Sequence, residues 1–94
     1  MENTLTNGLV VKLDKNNFIA TVTTSKDAKG DISIPPIVEH ESTKFVIAKI
    51  ESFAFSQNTS LTSISIPPSV RIIEESAFYK CDQLKSLVFI SNPE

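Results

Sequence analysis

Few side chains in this sequence have the type and company that chemistry needs. The one cysteine, Cys81, would act as a nucleophile or metal ligand only in surroundings that lower its pKa. A single cysteine excludes an internal disulfide and a cysteine zinc cluster. A buried apolar thiol is the expectation for it. The one histidine, His40, stands in a polar stretch, and nothing ties it to Cys81. The paired acids Glu74-Glu75 could serve as a catalytic dyad only if they faced each other, and adjacent residues on a helix do not. A solvated helix start accounts for them. Asp14 with Asn16 and Asn17 echoes a calcium loop, but the glycine and the distal glutamate of such a loop are missing, so the trio reads as a hairpin turn. The only glycines, Gly8 and Gly30, build no phosphate cradle. No nucleophile motif surrounds any serine. The expectation is a protein that is not an enzyme, with no catalytic residues, no metal and no cofactor.

One more polar residue has two readings. Asn58 opens Asn58-Thr59-Ser60, an N-glycosylation sequon, which needs an exposed asparagine. It also holds the position that Cys81 holds twenty-three residues later, where a buried amide would bond to unpaired backbone groups. The alignment of the two segments favours burial.

That alignment is the main signal in the chain. Ala48–Phe55 laid over Arg71–Phe78 puts Ile50 on Ile73, Glu51 on Glu74, Ala54 on Ala77 and Phe55 on Phe78. Leu61 then meets Leu84, and Ser63 meets Ser86. A period of this length marks a stacked repeat, in which each unit buries its apolar side against its neighbours. A partial third copy lies upstream: Ile32-Ser33-Ile34-Pro35-Pro36-Ile37-Val38 resembles Ile64-Ser65-Ile66-Pro67-Pro68-Ser69-Val70. The offset there is thirty-two, nine more than the repeat, and the excess falls around His40–Lys44. That polar stretch is expected to be a loop.

Three parts can be read within a unit. Ile64 and Ile66 alternate with Ser63 and Ser65, the period of a half-buried strand. Ile32 with Ile34, and Leu87 with Phe89, should point inward in the same way, so three strands stack in parallel. Pro35-Pro36 and Pro67-Pro68 end the strands, because proline lacks an N–H and fixes φ. A second extended piece follows, and then Glu51–Ser56 and Glu74–Tyr79 are expected as short helices or helical turns. The phenylalanines at 53, 55, 78 and 89 are expected in the core at repeat spacing. Ahead of the repeats, Leu9–Leu13 and Phe18–Val22 flank an Asp/Asn-rich turn and read as a β-hairpin lid. Thr23–Gly30 reads as a polar connector, and residues 1–7 as a frayed end.

Bulk properties narrow the partners. The net charge is −2, and the nine basic residues, scattered from Lys12 to Lys85, form no stripe. Nucleic acid is therefore not an expected partner, since phosphate neutralisation needs clustered cations. No apolar run approaches the roughly 20 residues of a membrane span. Met1-Glu2-Asn3-Thr4 lacks the basic start and apolar core of a secretory leader.

Ile73-Glu74-Glu75-Ser76-Ala77-Phe78-Tyr79-Lys80-Cys81-Asp82-Gln83-Leu84-Lys85-Ser86-Leu87, with Ile64–Val70 from the other copy, resembles the BspA-like (Treponema-type) leucine-rich repeats. The resemblance covers residues 31–93 well and 8–30 more loosely. It implies an α/β fold: a short right-handed leucine-rich-repeat solenoid of parallel strands and short helical turns, with an N-terminal β-hairpin cap. Residues 1–30 would form the cap and 31–94 about two and a half repeats of one compact domain. Such proteins are frequently surface or secreted proteins engaged in adhesion, so the implied function is protein–protein interaction at a cell surface. Asn58 departs from the family's usual cysteine. The outward strand positions Asp31, Ser33, Ser63, Ser65, Ser86 and Val88 are the candidate protein-binding residues. A second reading is a structural fragment that forms a homo-oligomer through an open C-terminal repeat, since Ser91-Asn92-Pro93-Glu94 carries no recognisable cap.

Overall fold

A computed structural model of the protein describes residues 2–5 and 7–90. The residues named above as an uncapped end, 91–94, lie outside that set. Among the described residues there are nine strands: β1 (Glu2–Thr4), β2 (Val10–Asp14), β3 (Ile19–Val22), β4 (Gly30–Ser33), β5 (Ile37–His40), β6 (Thr43–Ile50), β7 (Leu61–Ile66), β8 (Ile72–Ile73) and β9 (Ser86–Phe89). One sheet has the order β1-β2-β3-β6-β5, with β8 also paired to β6. The other is β4-β7-β9, parallel throughout. Inward residues of both sheets, among them Val11, Ala20, Ile32, Phe45, Ile47, Ile64 and Ile66, merge into one buried cluster.

The expected stack of three parallel strands is present: Ile32 lies beside Ile64, and Ile64 beside Leu87. The inward alternation holds for the first two strands, where Ile32, Ile34, Ile64 and Ile66 are all buried. It fails for Leu87 and Phe89, which are 39% and 63% exposed. They occupy the same register as Ile64 and Ile66, but among the described residues no strand lies beyond β9.

The expected helical turns are not helices, and no helix occurs among the described residues. An α-helix needs negative φ at every position. Here Phe53 and its repeat partner Ser76 both have φ of 62°, and Gln57 and Lys80 have 60° and 56°. The corner is a staircase of tight turns instead. Ala54, Ser56 and Asn58 donate N–H to the carbonyls of Glu51, Phe53 and Phe55, each three residues back. Ala77, Tyr79 and Cys81 repeat the pattern one unit later. The intervening donors are left for the neighbouring unit. Phe55 N bonds Ala77 O at 2.8 Å, Gln57 N bonds Tyr79 O at 2.7 Å, and Ser25 N bonds Ala54 O at 2.9 Å. A helix would have consumed these groups within the unit; the staircase turns half of them into a lateral ladder.

The same staircase sorts the phenylalanines. The Phe55 and Phe78 rings stack with centroids 5.3 Å apart and planes 3° off parallel. Phe55 is buried and Phe78 half-buried. Phe53 and Phe89 are not core as expected: Phe53 turns outward from its positive-φ position and is 53% exposed.

Three further expectations are corrected. The polar stretch around His40–Lys44 is a hairpin rather than a loop, with β5 and β6 joined by Glu41 and Ser42 at φ of 51° and 65°. That is the two-residue turn whose twist matches paired strands. The N-terminal segment is not frayed over its described residues, because β1 pairs with β2. Thr23–Gly30 is a built corner, not a plain connector: Ser25 and Ala28 are fully buried, and the Ser25 hydroxyl accepts from Val10 N and donates to Thr23 O. The β2–β3 hairpin forms as expected, and β3 lies parallel to β6. Asp14 closes its turn by accepting from the backbone of Asn16 and Asn17 and from the Asn17 amide, bonds that hold its carboxyl below the usual range.

Asn58 is buried and fully used. Its Nδ2 donates to Ala28 O at 2.7 Å and Ser25 O at 3.2 Å, and its Oδ1 accepts from Ser60 N and Leu61 N at 2.9 and 3.0 Å. Cys81 makes the equivalent reach one unit on, its Sγ donating to Phe55 O at 2.8 Å. A glycan on Nδ2 would break the contacts that fix this corner. Replacing Asn58 by alanine strands two carbonyls and two N–H groups, and should lower unfolding free energy by about 3 kcal/mol in urea titrations. Asn58→Cys, which copies the later unit, should lose less. An unchanged urea midpoint for Asn58→Ala would contradict this assignment.

The aligned glutamates also join units. Glu51 accepts from the Thr23 hydroxyl and pairs with Lys12 Nζ at 3.2 Å. Glu74 accepts from Ser52 N at 3.2 Å and pairs with Lys49 Nζ at 3.4 Å. Burial pushes the Glu51 carboxyl upward, but the bonds from Thr23 and Lys12 and the charges of Lys12 and Lys49 outweigh it, so its pKa is lowered. A lowered folded-state value means the contribution is fully present above the ordinary glutamate range and is lost as pH falls through the folded value. Glu51→Gln should therefore cost about 1 kcal/mol or less near neutrality, and the cost should shrink as pH falls through the folded-state value and the glutamate becomes neutral like the glutamine. Urea unfolding over an acid pH series measures this, and a gap that does not narrow with falling pH would refute it.

Candidate interaction surface

The register of β4, β7 and β9 brings the six sequence-named residues together. Asp31 lies beside Ser63 and Ser63 beside Ser86; Ser33 lies beside Ser65 and Ser65 beside Val88. Side chains alternate across a strand, so these two rows share the face opposite Ile32 and Ile64. Asp31, Ser33, Ser86 and Val88 are exposed, and Ser63 and Ser65 are half-buried. The Ser63 hydroxyl donates to Asp31 Oδ1 at 2.7 Å. The face is small-chained and hydroxyl-rich, with one carboxylate at the β4 end and a valine at the β9 end. It can exchange hydrogen bonds with a polar surface laid across it.

Sequence reasoning missed one member. The pairing slips between Gly30 and Asp31, so Gly30 faces Leu61 while Asp31 faces Ser63. The extra residue, Thr62, is exposed next to Ser63. Strict alternation would have sent Thr62 inward. A threonine at an inward position was the available sign of a bulge.

A second surface was also missed. Asp14, Ile19, Val46 and Ile37 form one row across β2, β3, β6 and β5. Ile37 and Val46 are 49% and 42% exposed. Reading residues 40–44 as a loop hid β5 from the sequence. The two residues Glu41-Ser42 between alternating runs were the signal for a hairpin.

The residues considered for chemistry are dispersed. Burial pushes the Cys81 thiol up and the charge of Asp82 adds to this, while a backbone bond at Asn58 opposes it, so the thiol is a poor nucleophile. It is half-buried rather than fully buried. Of the acid pair, Glu74 is held by Lys49 and Ser52 N, and Glu75 is exposed. His40 sits at the end of β5. Among the described residues, no three His, Cys, Asp or Glu side chains are grouped to hold a metal, and no helix is long and apolar enough to cross a membrane.

Comparison with known proteins agrees with this architecture. Residues 38–94 match a family model described as a BspA-type leucine-rich repeat region of six copies. A leucine-rich cell surface protein from Faecalibacterium prausnitzii is 30% identical over 99% of this chain, with a TM-score of 0.81. A leucine-rich-repeat protein from Bacteroides ovatus is 25% identical over 90%, with a TM-score of 0.77. A leucine-rich-repeat protein from Bacteroides capillosus shares the fold, with a TM-score of 0.82 over 94% of the chain at 22% identity. The chain spans 24%, 23% and 64% of those three proteins in turn. No curated protein matches it in sequence. The parallel β4-β7-β9 stack beside a mixed sheet, tight corners in place of helices and the family match together place this chain in the BspA-type leucine-rich-repeat family.

Proposed function

We propose that this chain is a protein-interaction module that binds without chemistry through the outward face of β4, β7 and β9. The observation that carries the reading is the pair of rows Asp31-Ser63-Ser86 and Ser33-Ser65-Val88, hydroxyl-rich and small-chained on a sheet whose other side is packed core at β4 and β7. Stacked repeats present extended surfaces of this kind to partners. We read the chain as a right-handed solenoid, with residues 1–30 as its cap and 31–94 as its repeats. A place on a cell surface, in an adhesive or host-contacting protein, is supported by the similar protein from Faecalibacterium prausnitzii, itself described as a cell surface protein.

A second reading, self-association through the β9 end, is favoured by one observation. Leu87, Phe89 and Ile90 are 39%, 63% and 48% exposed, and the far side of β9 has no strand against it among the described residues. An open edge with apolar side chains is a site for strand pairing.

One comparison separates the two readings. A Ser63→Lys/Ser65→Lys/Ser86→Lys variant, shown by circular dichroism to be folded, should lose a captured partner protein while sedimenting as the native chain does. Retention of the partner would remove the sheet face from consideration. Concentration-dependent sedimentation that Phe89→Lys abolishes would favour the self-association reading instead.

A further inference from the structure

The contacts that join one unit to the next are offered again, unanswered, at the β9 end. Ser25 N, Phe55 N and Phe78 N hold the same place at successive corners. The first two donate to Ala54 O and Ala77 O in the unit that follows. Phe78 N has no acceptor among the described residues, and neither has Lys80 N, the counterpart of Gln57 N. The apolar side opens in step with these donors. Ile50, Ile64 and Ile66 are 0%, 0% and 1% exposed. Their neighbours in register, Ile73, Leu87 and Phe89, are 37%, 39% and 63% exposed. The Phe78 ring lies on Phe55 yet stays half-buried. The corner and both sheets are thus open in one direction. Another unit of the same kind, parallel to β9 and about 4.8 Å away, would meet all three at once.

A second copy of this chain does not supply that unit. A two-fold copy set edge to edge either runs its β9 antiparallel, carrying its corner away from Phe78, or runs it parallel with the apolar side reversed. A head-to-tail copy would bring β4, whose Ile32 is already only 2% exposed and has little left to bury. Charge narrows the partner further. Glu74 reaches back to the unit before it, to Lys49 Nζ at 3.4 Å and Ser52 N at 3.2 Å. Twenty-three residues on, those two places hold Ile72 and Glu75. Ile72 is 53% exposed, and Glu75 is exposed. A glutamate reaching back from an added unit would lose its cation and meet an acid, which is unfavourable. A lysine in its place would lay its methylene stem along Ile72 and set its ammonium beside the Glu75 carboxylate. The units of this chain carry Glu51 and Glu74 there, so neither fits.

We propose that the β9 end docks a leucine-rich-repeat unit of a different polypeptide, parallel to β9 and carrying lysine at the place of Glu74. That partner rests on the reading of this chain as stacked units, and it is not the second copy of the self-association reading. Two synthetic peptides copying residues 71–90 decide the matter, one with Glu74→Lys and one unchanged, each titrated into the full isotope-labelled chain under reducing conditions. The lysine peptide should bind saturably and slow hydrogen exchange at the Phe78 and Lys80 amides, as followed by NMR. The unchanged peptide should bind about tenfold more weakly. Glu75→Lys in the chain, a change at an exposed side chain, should reverse that preference. Equal binding of the two peptides would overturn the proposal, as would a preference that Glu75→Lys leaves in place. So would no binding of either at millimolar concentration, or binding that leaves exchange at Phe78 and Lys80 unchanged. Protection of those amides that grows with the concentration of the chain alone would overturn it in favour of self-association. None of these outcomes bears on the Ser63-Ser65-Ser86 face, which its own lysine variant tests.

Discussion

The lateral bond between one corner and the next is the constraint on which the rest of this structure depends. Neighbouring strands stand about 4.8 Å apart, and everything stacked on them must keep that spacing. The corners do so by alternating their donors. Ala54, Ser56 and Asn58 close turns within the unit, while Phe55 and Gln57 reach the carbonyls of Ala77 and Tyr79 in the next. The Phe55 and Phe78 rings then fall into parallel stacking at 5.3 Å. The aligned Asn58 and Cys81 tie each corner to the carbonyl of the residue on the rung before it, Ser25 in one case and Phe55 in the other.

The outward face follows from the same spacing. Parallel strands in register put like positions side by side, so a serine recurring at the repeat period becomes a row rather than a scattered set. The Asp31-Ser63-Ser86 row exists because the parallel ladder of β4, β7 and β9 sets Ile32, Ile64 and Leu87 side by side, with Ile32 and Ile64 buried on the opposite side. The hairpins at the other sheet interrupt that regularity, and their tips form a cleft lined by Lys15, Phe18 and His40.

Much of this was legible in the residues. Alternation of Ile64 and Ile66 with serine gave the strand, the offset of twenty-three gave the stack, and both together gave the six face residues. What was not legible has a common cause. Glu51–Ser56 carries helix-compatible residues, and only the lateral demand for hydrogen bonds makes a staircase with Phe53 and Gln57 at positive φ the better solution. Phe53 looked like core for the same reason. Thr62 was hidden by a one-residue slip, and β5 by polar residues that read as loop yet pair across the Glu41-Ser42 turn. The cleft could not be foreseen, because Lys15, Phe18 and His40 meet only through two turns distant in sequence.

The account rests on Phe55 and Phe78 acting as one packed pair across adjacent units. A double-mutant cycle of Phe55→Leu and Phe78→Leu, read by urea unfolding, tests it most directly. Stacked rings predict that the two changes are coupled by about 1 kcal/mol. Changes that add to within about 0.3 kcal/mol would contradict it, because residues on separate elements would behave independently.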